Sequence, residues 1–406
     1  MNILYAPAHY EIDEDKLGSE SSWVLNIISR LAQKEIKVKA ITGYHNVTPK
    51  SEYLQFIDVY KDIKADKALL DRGLFNYRYF KAAKKIVSTE QINIIHHMFP
   101  FKIGVSYNLL AVFNQLDNKP FVIGPLQTPF KTIYRDELAP AQGGTPLRKI
   151  QKTGELTAIK GVSKILNLLS FQTIKKADRL IVLDETTRDF IKKNIGNNIA
   201  DKIQIIPPGI NLKDFPSKSK PIKKDSIELI TIGRVTKRKR IDLIMKAVFF
   251  IKKEQKINIT LRIIGDGAEI DGLKGYRDKL DLKNNVIFEG FIPNKKLSKY
   301  YAQADIYCSM SEEETFGQVY LESMACGIPI IASETIGASE IIKDGVTGFL
   351  VPQEDYNTLA KKIITLIRNN ELHYQFTNKA RKRVEQKYDW DKVIVPKYIN
   401  LYQSLI

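Results

Sequence analysis

The sequence predicts a doubly wound α/β protein with two domains, and three observations lead to this fold class. The chain has 406 residues, and at about 150 residues per domain this suggests two or more domains. It is 44% hydrophobic and 27% charged, which excludes a disordered or collagen-like chain. Short runs rich in Ile and Val alternate with longer amphipathic stretches, the pattern of parallel sheets covered by helices on both faces.

The predicted strands are the near-continuous apolar runs, because strands buried on both faces have few polar positions. In the first half they are Asn2–Pro7, Val38–Thr42, Ile92–His97, Phe121–Gly124, Arg179–Asp184 and Ile203–Pro207. In the second half they are Glu228–Gly233, Thr260–Gly265, Val286–Phe291, Asp305–Ser309 and Ile328–Ala332. Helices are predicted between them, including Ser21–Gln33, Tyr77–Val87, Ile241–Lys253, Leu297–Gln303 and Thr358–Arg368.

A stretch without periodicity separates the two halves. From Pro207-Pro208-Gly209 to Asp225 it is rich in Pro, Ser and Lys, which indicates an inter-domain linker. We therefore predict one Rossmann-like domain over residues 1–208, a second over 209–389, and a helical tail over 390–406. Ligands of open α/β sheets bind beyond the carboxyl ends of the strands, so two such domains imply a ligand cleft between them.

The chain is basic, with 63 Lys and Arg against 46 Asp and Glu and a net charge of +17. The excess is spread over both halves, whereas nucleic-acid binding concentrates it on one face, so we expect no nucleic-acid partner. Two cysteines, Cys308 and Cys326, favour a reducing compartment without disulfides. The N-terminus lacks a signal peptide and no apolar run reaches membrane-spanning length, so the sequence predicts a cytoplasmic protein.

The most informative stretch is Ser311–Pro329, which follows a strand and opens a helix near Phe316 or Gly317. The helix is predicted to end at Gly327, ahead of Pro329. The free N–H groups of its first turn form an anion site, strengthened by the helix dipole.

Two acids lie along this helix, Glu314 just before it and Glu322 about two turns into it. A rise of 1.5 Å per residue separates them by roughly 9 Å along the axis. That spacing suits a ligand with hydroxyls at both ends and a diphosphate between them, such as a nucleotide sugar. The alternative is an acid favoured by the helix dipole and an ordinary exposed glutamate.

A cationic loop follows the first strand of the second half, in Gly233–Asp242. Arg234 and Lys239 can neutralise a diphosphate without a metal ion; the alternative is a solvated basic turn. Clusters with metal-ligand spacing are not visible in the sequence, so we predict no metal and no cofactor beyond the nucleotide-sugar substrate.

With these motifs the second half resembles the retaining glycosyltransferases of family 4, which have the GT-B fold of two facing Rossmann-like domains. It has their E-x7-E pattern as Glu314 and Glu322, and their Gly-Arg-x4-Lys loop as Gly233-Arg234 and Lys239. Gly265-Asp266-Gly267 and Gly345–Leu350 also match. The resemblance covers roughly Ile203–Trp390. It departs from the family at Asn211, where Asp is commoner, at Pro208, where Asn is commoner, and at Arg240, where Gly is commoner.

The resemblance implies a role for each matching residue. Arg234 and Lys239 would hold the donor diphosphate, Glu322 the ribose hydroxyls, and Glu314 the transferred sugar. Further donor contacts, largely from the backbone, are implied for Phe316, Gly317, Gln318, Gly265, Phe291 and Ile292.

In the first half the resemblance implies a donor-binding loop at Gly18-Ser19 and a cleft histidine by the transferred sugar. His96 and His97 end a predicted strand; we favour His97 as the catalytic histidine and keep His96 open. In GT-B enzymes the C-terminal helix crosses back to the first domain, so the tail from Trp390 is expected to do the same.

The predicted function is metal-independent transfer of a sugar, with retention, from a nucleotide diphosphate sugar to a glycan or lipid-linked acceptor. The basic segment Thr145–Lys176 either contacts the inner face of an anionic membrane or packs its apolar side on the sheet. The alternatives are a GT-B-like nucleotide-sugar epimerase or hydrolase, a non-catalytic membrane-surface binding protein, or an NAD-dependent oxidoreductase. For the last, Gly265-Asp266-Gly267 is only a fragment of the dinucleotide fingerprint.

Overall fold

The computed structural model describes residues 1–13, 19–60, 72–98, 101–103, 106–127, 155–217 and 226–406. This part of the chain divides into two units. The first contains the described residues up to Gly209 together with Trp390–Ile406, and the second is Ile210–Asp389.

The first unit contains a parallel sheet in which the described strands follow the order β3-β2-β1-β4-β6-β7-β8, with β5 paired to β6. These strands are β1 Asn2–Asp13, β2 Lys37–Asn46, β3 Leu54–Asp58, β4 Ile94–His97, β5 Phe101–Lys102, β6 Phe121–Gln127, β7 Arg179–Val182 and β8 Ile203–Ile205. The helices are α1 Ser19–Gln33, α2 Arg72–Thr89, α3 Leu109–Val112, α4 Glu155–Lys176 and α5 Glu185–Ile195.

The second unit contains a second parallel sheet with the strand order β11-β10-β9-β12-β13-β14. Its strands are β9 Ile227–Ile232, β10 Ile259–Ile264, β11 Val286–Gly290, β12 Ile306–Ser309, β13 Ile330–Ser333 and β14 Gly348–Val351. Its helices are α6 Ile241–Gln255, α7 Ile270–Lys279, α8 Asn294–Tyr301, α9 Gln318–Cys326, α10 Ile336–Ile341, α11 Tyr356–Arg368 and α12 Asn370–Lys387.

The central strands of both sheets are buried on both faces, which confirms the predicted doubly wound α/β class. In β9, Leu229 and Ile230 point to opposite faces and both are fully buried. Leu229 belongs to an apolar core that includes residues of α6 and α11. The predicted strands are therefore found because their apolar runs fill two helix-covered layers.

The strands β3, β5 and β14 were not predicted, and β1, β2 and β6 extend beyond their predicted ends. β1 continues to Asp13, past the predicted end at Pro7, because its pairing with β2 shifts register between Tyr5 and His9 and then resumes. The edge strands β3 and β14 are short, and β14 begins with Gly348, so neither has a strong apolar pattern.

The tail of the chain packs within the first unit. Trp390 begins a short π-helical turn, Trp390–Ile394, which leads into α13, Val395–Gln403. The indole ring lies against Gly209, where an added Cβ would come within 2.6 Å of it. Arg30 of α1 donates to Asp391 over 2.7 Å, which fixes the turn from the other side.

Cys308 and Cys326 are buried free thiols, as the sequence predicts. Among the described residues no helix has the length and apolar character needed to cross a bilayer.

Candidate active site

Most residues singled out in the second unit lie in loops at the carboxyl ends of its strands, and Gln318 and Glu322 lie on α9. The loops after β9 and β10 are in direct backbone contact: Val235 N–H donates to Asp266 O over 2.9 Å. Gly265 has φ +132°, and a Cβ there would lie 1.9 Å from the carbonyl oxygen of Gly233. Gly265 is therefore needed for the close approach of the two loops.

The cationic loop after β9 has two kinds of basic side chain. Arg234 is exposed, and among the described residues its side chain has no ion-pair partner. Lys239 ends the 3₁₀ turn Lys237–Lys239 and is largely covered, with 17% of its side chain exposed. Both residues line a small pocket with Gly233, Tyr307 and Ser309.

The acid loop, Glu312–Glu314, lies against this cationic loop. Lys239 Nζ donates to Glu314 Oε2 over 2.6 Å, joining two residues separated by 75 positions in the chain. Burial acts to raise the pKa of Glu314, but the neighbouring Lys239 and Arg238 outweigh it, so that pKa lies below its ordinary value. Glu314 is therefore held as a carboxylate beside the pocket.

The start of α9 confirms the predicted strand-loop-helix arrangement. Gly317 has φ 82° and precedes Gln318, the first residue of the helix, while Gly327 at its end has φ 76°. The Phe316 side chain is buried against Tyr388. The side chain is therefore part of the core and is not a ligand contact.

Glu322 lies on α9 and is 3% exposed. Tyr301 Oη donates to its Oε2 over 3.0 Å, and Asn294 Nδ2 lies 3.4 Å from its Oε1. Burial raises its pKa to about 7, although both hydrogen bonds act to lower it. Glu322 is therefore a glutamate with a raised pKa, and it lies on the helix that begins beside Glu314.

The other predicted donor residues lie after β11. Phe291 is 60% exposed and Ile292 is partly buried, next to Gly290 with φ 70°. Phe291 therefore presents an aromatic face to solvent. Among the described residues no three His, Cys, Asp or Glu side chains are grouped so that they could hold a metal ion.

The two histidines of β4 differ in how their ring nitrogens are used. His96 is bonded on both, to Tyr402 Oη over 2.7 Å and to Gly124 O over 2.9 Å. His97 Nδ1 lies 3.1 Å from Asn108 Nδ2, while its buried Nε2 has no hydrogen-bond partner among the described residues. Burial lowers the pKa of both rings to about 3, with a further contribution from His96 at His97.

Asn108 fixes the tautomer of His97. Its Oδ1 accepts the backbone N–H groups of Leu110 and Ala111, and its Nδ2 donates to Ala6 O over 2.7 Å. The amide nitrogen therefore faces His97 Nδ1, which must accept, so the proton of the neutral ring is on Nε2. The structure thus leaves His97, and not His96, with an unused polar atom.

Two predicted segments are only partly described. Gly18 lies outside the described residues, and Ser19 is the first residue of α1. Within Thr145–Lys176 the structure describes α4, and side chains from Lys164 onward. There Ile165 and Leu168 are 59% and 58% exposed, between the exposed Lys164 and Lys175.

Sequence reasoning missed the residues that hold the site residues in place. Asn108, Tyr301 and Asn294 have no motif of their own, because each acts through a partner distant in the sequence. Arg240 was visible only as a departure from the family pattern. Its guanidinium contacts Glu312 and Glu354.

Two family models match adjoining parts of this chain. Residues 21–214 match Glycosyltransferase Family 4, and residues 213–383 match Glycosyl transferases group 1. The alpha-monoglucosyldiacylglycerol synthase of Streptococcus pneumoniae is 30% identical over 284 residues, which are 68% of this chain and 59% of that protein. The chain spans 59% to 66% of the length of this and three other related proteins.

Solved structures resemble the whole chain. The sucrose-phosphate synthase from Thermosynechococcus elongatus has a TM-score of 0.72 at 21% identity, covering 99% of this chain and 98% of that one. HepE from Anabaena in complex with UDP-glucose has a TM-score of 0.68 at 17% identity and covers 100% of both chains. At these identities the likeness establishes the fold, which is GT-B. With both family models matched in order along it, the chain belongs to family 4 of the glycosyltransferases.

Proposed function

We propose that this chain transfers a sugar, with retention and without a metal ion, from a nucleoside diphosphate sugar to a glycan or lipid-linked acceptor. The observation that carries the proposal is the contact of Lys239 with Glu314 beside the pocket, with Glu322 on the helix that follows. Family membership supports it, and so does the solved UDP-glucose complex of a protein with the same fold.

In this proposal the cationic loop binds the donor diphosphate. Arg234 has no competing ion pair among the described residues, and Lys239 lies in the same pocket. Negative charge grows on the diphosphate as its bond to the sugar breaks. Fixed cations in a partly buried site stabilise that charge more than water does, which lowers the barrier.

The two acids bind the hydroxyls at either end of the donor. Glu314 remains ionised because of Lys239 and Arg238, and a carboxylate can accept from two neighbouring sugar hydroxyls. Glu322 accepts the ribose hydroxyls, oriented by Tyr301 and Asn294. Because these hydroxyls donate, ribose binding favours the ionised form of Glu322 and lowers its pKa.

In the first unit we assign a substrate contact to His97. Its Nε2 carries the proton and is buried without a partner in the part of the chain that the structure describes, so it can donate to a substrate hydroxyl. His96 is assigned a structural role, since both its ring nitrogens are bonded within the unit. A lipid-linked acceptor agrees with the exposed Ile165 and Leu168 of α4, flanked by lysines.

The test is a screen of nucleotide sugars for thermal stabilisation, followed by transfer assays with the best donor. Lys239→Ala and Glu314→Ala should each lower kcat/KM at least a hundredfold, which is about 2.7 kcal/mol of transition-state stabilisation. Lys237→Ala is the matched control, because Lys237 is an exposed lysine of the same turn. Near-normal turnover in both site variants would refute the assignment.

Two further measurements address the finer claims. The anomeric configuration of the first-formed product, read by NMR, should match that of the donor; inversion would contradict retention. Turnover should be unchanged by EDTA, and loss of activity that Mg²⁺ restores would contradict metal independence. Donor consumption without any added acceptor would favour the hydrolase alternative.

A further inference from the structure

Arg240 occupies a backbone position that favours glycine. It links the 3₁₀ turn Lys237–Lys239 to α6 and has φ 46° and ψ 45°, in the left-handed region. An L side chain is strained there, whereas glycine is not. Arg240 caps no backbone group of α6 through its side chain, so the reason for an arginine lies in what the guanidinium contacts.

The guanidinium of Arg240 joins three separate segments. Its Nε and Nη2 donate to the carboxylate of Asp242 at the start of α6, over 3.2 and 3.3 Å. Its Nη1 donates to Glu312 Oε1 over 3.1 Å and to Glu354 Oε1 over 2.7 Å. Only 19% of the side chain is exposed, so the charge is partly shielded from water. A planar fork of donors suits this arrangement, and the single ammonium of a lysine does not.

Glu312 begins the acid loop that ends at Glu314. Its own N–H donates to Arg238 O over 2.9 Å, and the Arg238 side chain donates to Glu313 O. Two residues further on, Glu314 meets Lys239. Each residue of the turn from Arg238 to Arg240 thus contacts the acid loop. Arg240 also ties the Glu312 side chain to Glu354 in the turn before α11, and Gln353 of that turn donates to Glu312 O over 3.0 Å.

We propose that Arg240 is a positioning residue that holds the acid loop where Glu314 can meet the transferred sugar. The effect on sugar binding rests on the proposed function. The claim that Arg240 holds the acid loop in place does not depend on any ligand. Without the guanidinium, the carboxylate of Glu312 loses its hydrogen bond to Arg240. It is then no longer linked through Arg240 to Asp242 at the start of α6 or to Glu354. The acid loop then keeps its contacts with Arg238, Lys239 and Gln353 and loses the brace at the carboxylate of Glu312.

Hydrogen exchange of the ligand-free protein tests the structural part. Two amides report on the acid loop, Glu312 N–H bonded to Arg238 O and Gly337 N–H bonded to Glu314 O. In Arg240→Gly both should exchange about tenfold faster, while peptides from the interior of α6 keep their wild-type rate. Arg240→Gly relieves the backbone strain, so it should fold. Glu312→Ala, which removes the acceptor and leaves the backbone of Arg240 alone, should give the same result, and Lys237→Ala should give no change.

Binding measurements test the functional part, with UDP and UDP-glucose as probes. Arg240→Gly and Glu312→Ala should each weaken UDP-glucose binding about tenfold and UDP binding less than twofold, because the brace acts on the sugar-binding acid. The double variant should be no worse than either single variant, since both remove the same contact. Arg240→Lys should recover only part of the affinity.

The outcomes separate the two claims. Acid-loop exchange in Arg240→Gly within twofold of wild type, or faster exchange throughout the second unit, overturns the inference. Equal losses of UDP and UDP-glucose affinity, or additive losses in the double variant, overturn it as well. If wild type binds none of the nucleotide sugars in the screen, the proposed function fails, and the exchange result still decides the role of Arg240 in the fold.

Discussion

Glu322→Gln should stabilise the ligand-free protein in a pH-dependent way. Burial raises the pKa of Glu322 from 4.5 to about 7, so the folded state binds this proton more tightly than the unfolded state. The contribution of Glu322 to stability is therefore fully present below pH 4.5 and is lost as the pH rises to about 7. Glutamine keeps the shape of the neutral acid without its ionisation.

The magnitude follows from the interval between the two pKa values. At about 1.4 kcal/mol per pH unit, the easier ionisation of Glu322 in the unfolded state lowers stability by about 3 kcal/mol at pH 8 and by about 1 kcal/mol at pH 5, relative to stability below pH 4.5. Glutamine can still be hydrogen-bonded, because Tyr301 Oη lies 3.3 Å from Val319 O and can donate to that oxygen while accepting from the new amide. The gain from the substitution should thus be about 2 kcal/mol larger at pH 8 than at pH 5.

The assay is thermal unfolding of both proteins at the two pH values. For a unit of this size the difference corresponds to about 4–8 °C in Tm. Glu254→Gln, on the exposed surface of α6, is the control and should shift Tm equally at both pH values. A Glu322→Gln effect that is the same at pH 5 and pH 8 would refute the reasoning. The same variant should bind the donor more weakly, since an amide cannot replace a carboxylate toward two ribose hydroxyls.

Two further predictions concern the supports of the site. Gly265→Ala should destabilise the second unit by more than about 3 kcal/mol, because a backbone oxygen would lie 1.9 Å from the new Cβ. Gly272→Ala, with open space around it, should be neutral or stabilising by about 0.5 kcal/mol; similar urea midpoints for both variants would contradict this. Tyr402→Phe should cost about 1–3 kcal/mol, because it leaves the buried Nδ1 of His96 without a partner. Tyr398→Phe is the matched control in α13 and should cost less in the same urea experiment, so equal costs would count against the His96 bond.

The local structure around α9 could be predicted from the sequence. The apolar run predicts a strand, and the polar stretch after it predicts a loop. Gly327 ahead of a proline predicts the end of the helix, and the observed φ of 76° at Gly327 agrees with a helix end there. These features depend on residues adjacent in the chain. The E-x7-E pattern likewise placed Glu314 before α9 and Glu322 within it.

The contacts that give these residues their properties could not be predicted. Lys239 and Glu314 are separated by 75 positions, and their ion pair depends on how two loops meet at the sheet edge. The raised pKa of Glu322 depends on its burial in the folded second unit, where Tyr301 of α8 donates to it. The sequence left His96 and His97 as alternatives because only the fold shows which ring has a bonded Nε2.

Arg240 lies between these cases. Its departure from the family pattern was visible in the sequence, but the sequence could not say whether it altered the loop or strengthened it. The structure resolves this through partners 72 and 114 positions away, Glu312 and Glu354. A residue that breaks a local rule thus has its explanation in tertiary contacts.

The most direct test of the central claim is a crystal structure of the protein with the nucleotide sugar that stabilises it best. We predict the diphosphate within hydrogen-bonding distance of Lys239 Nζ, the ribose on Glu322 and the sugar on Glu314. A donor bound elsewhere on the second unit, or only to the first unit, would contradict the account.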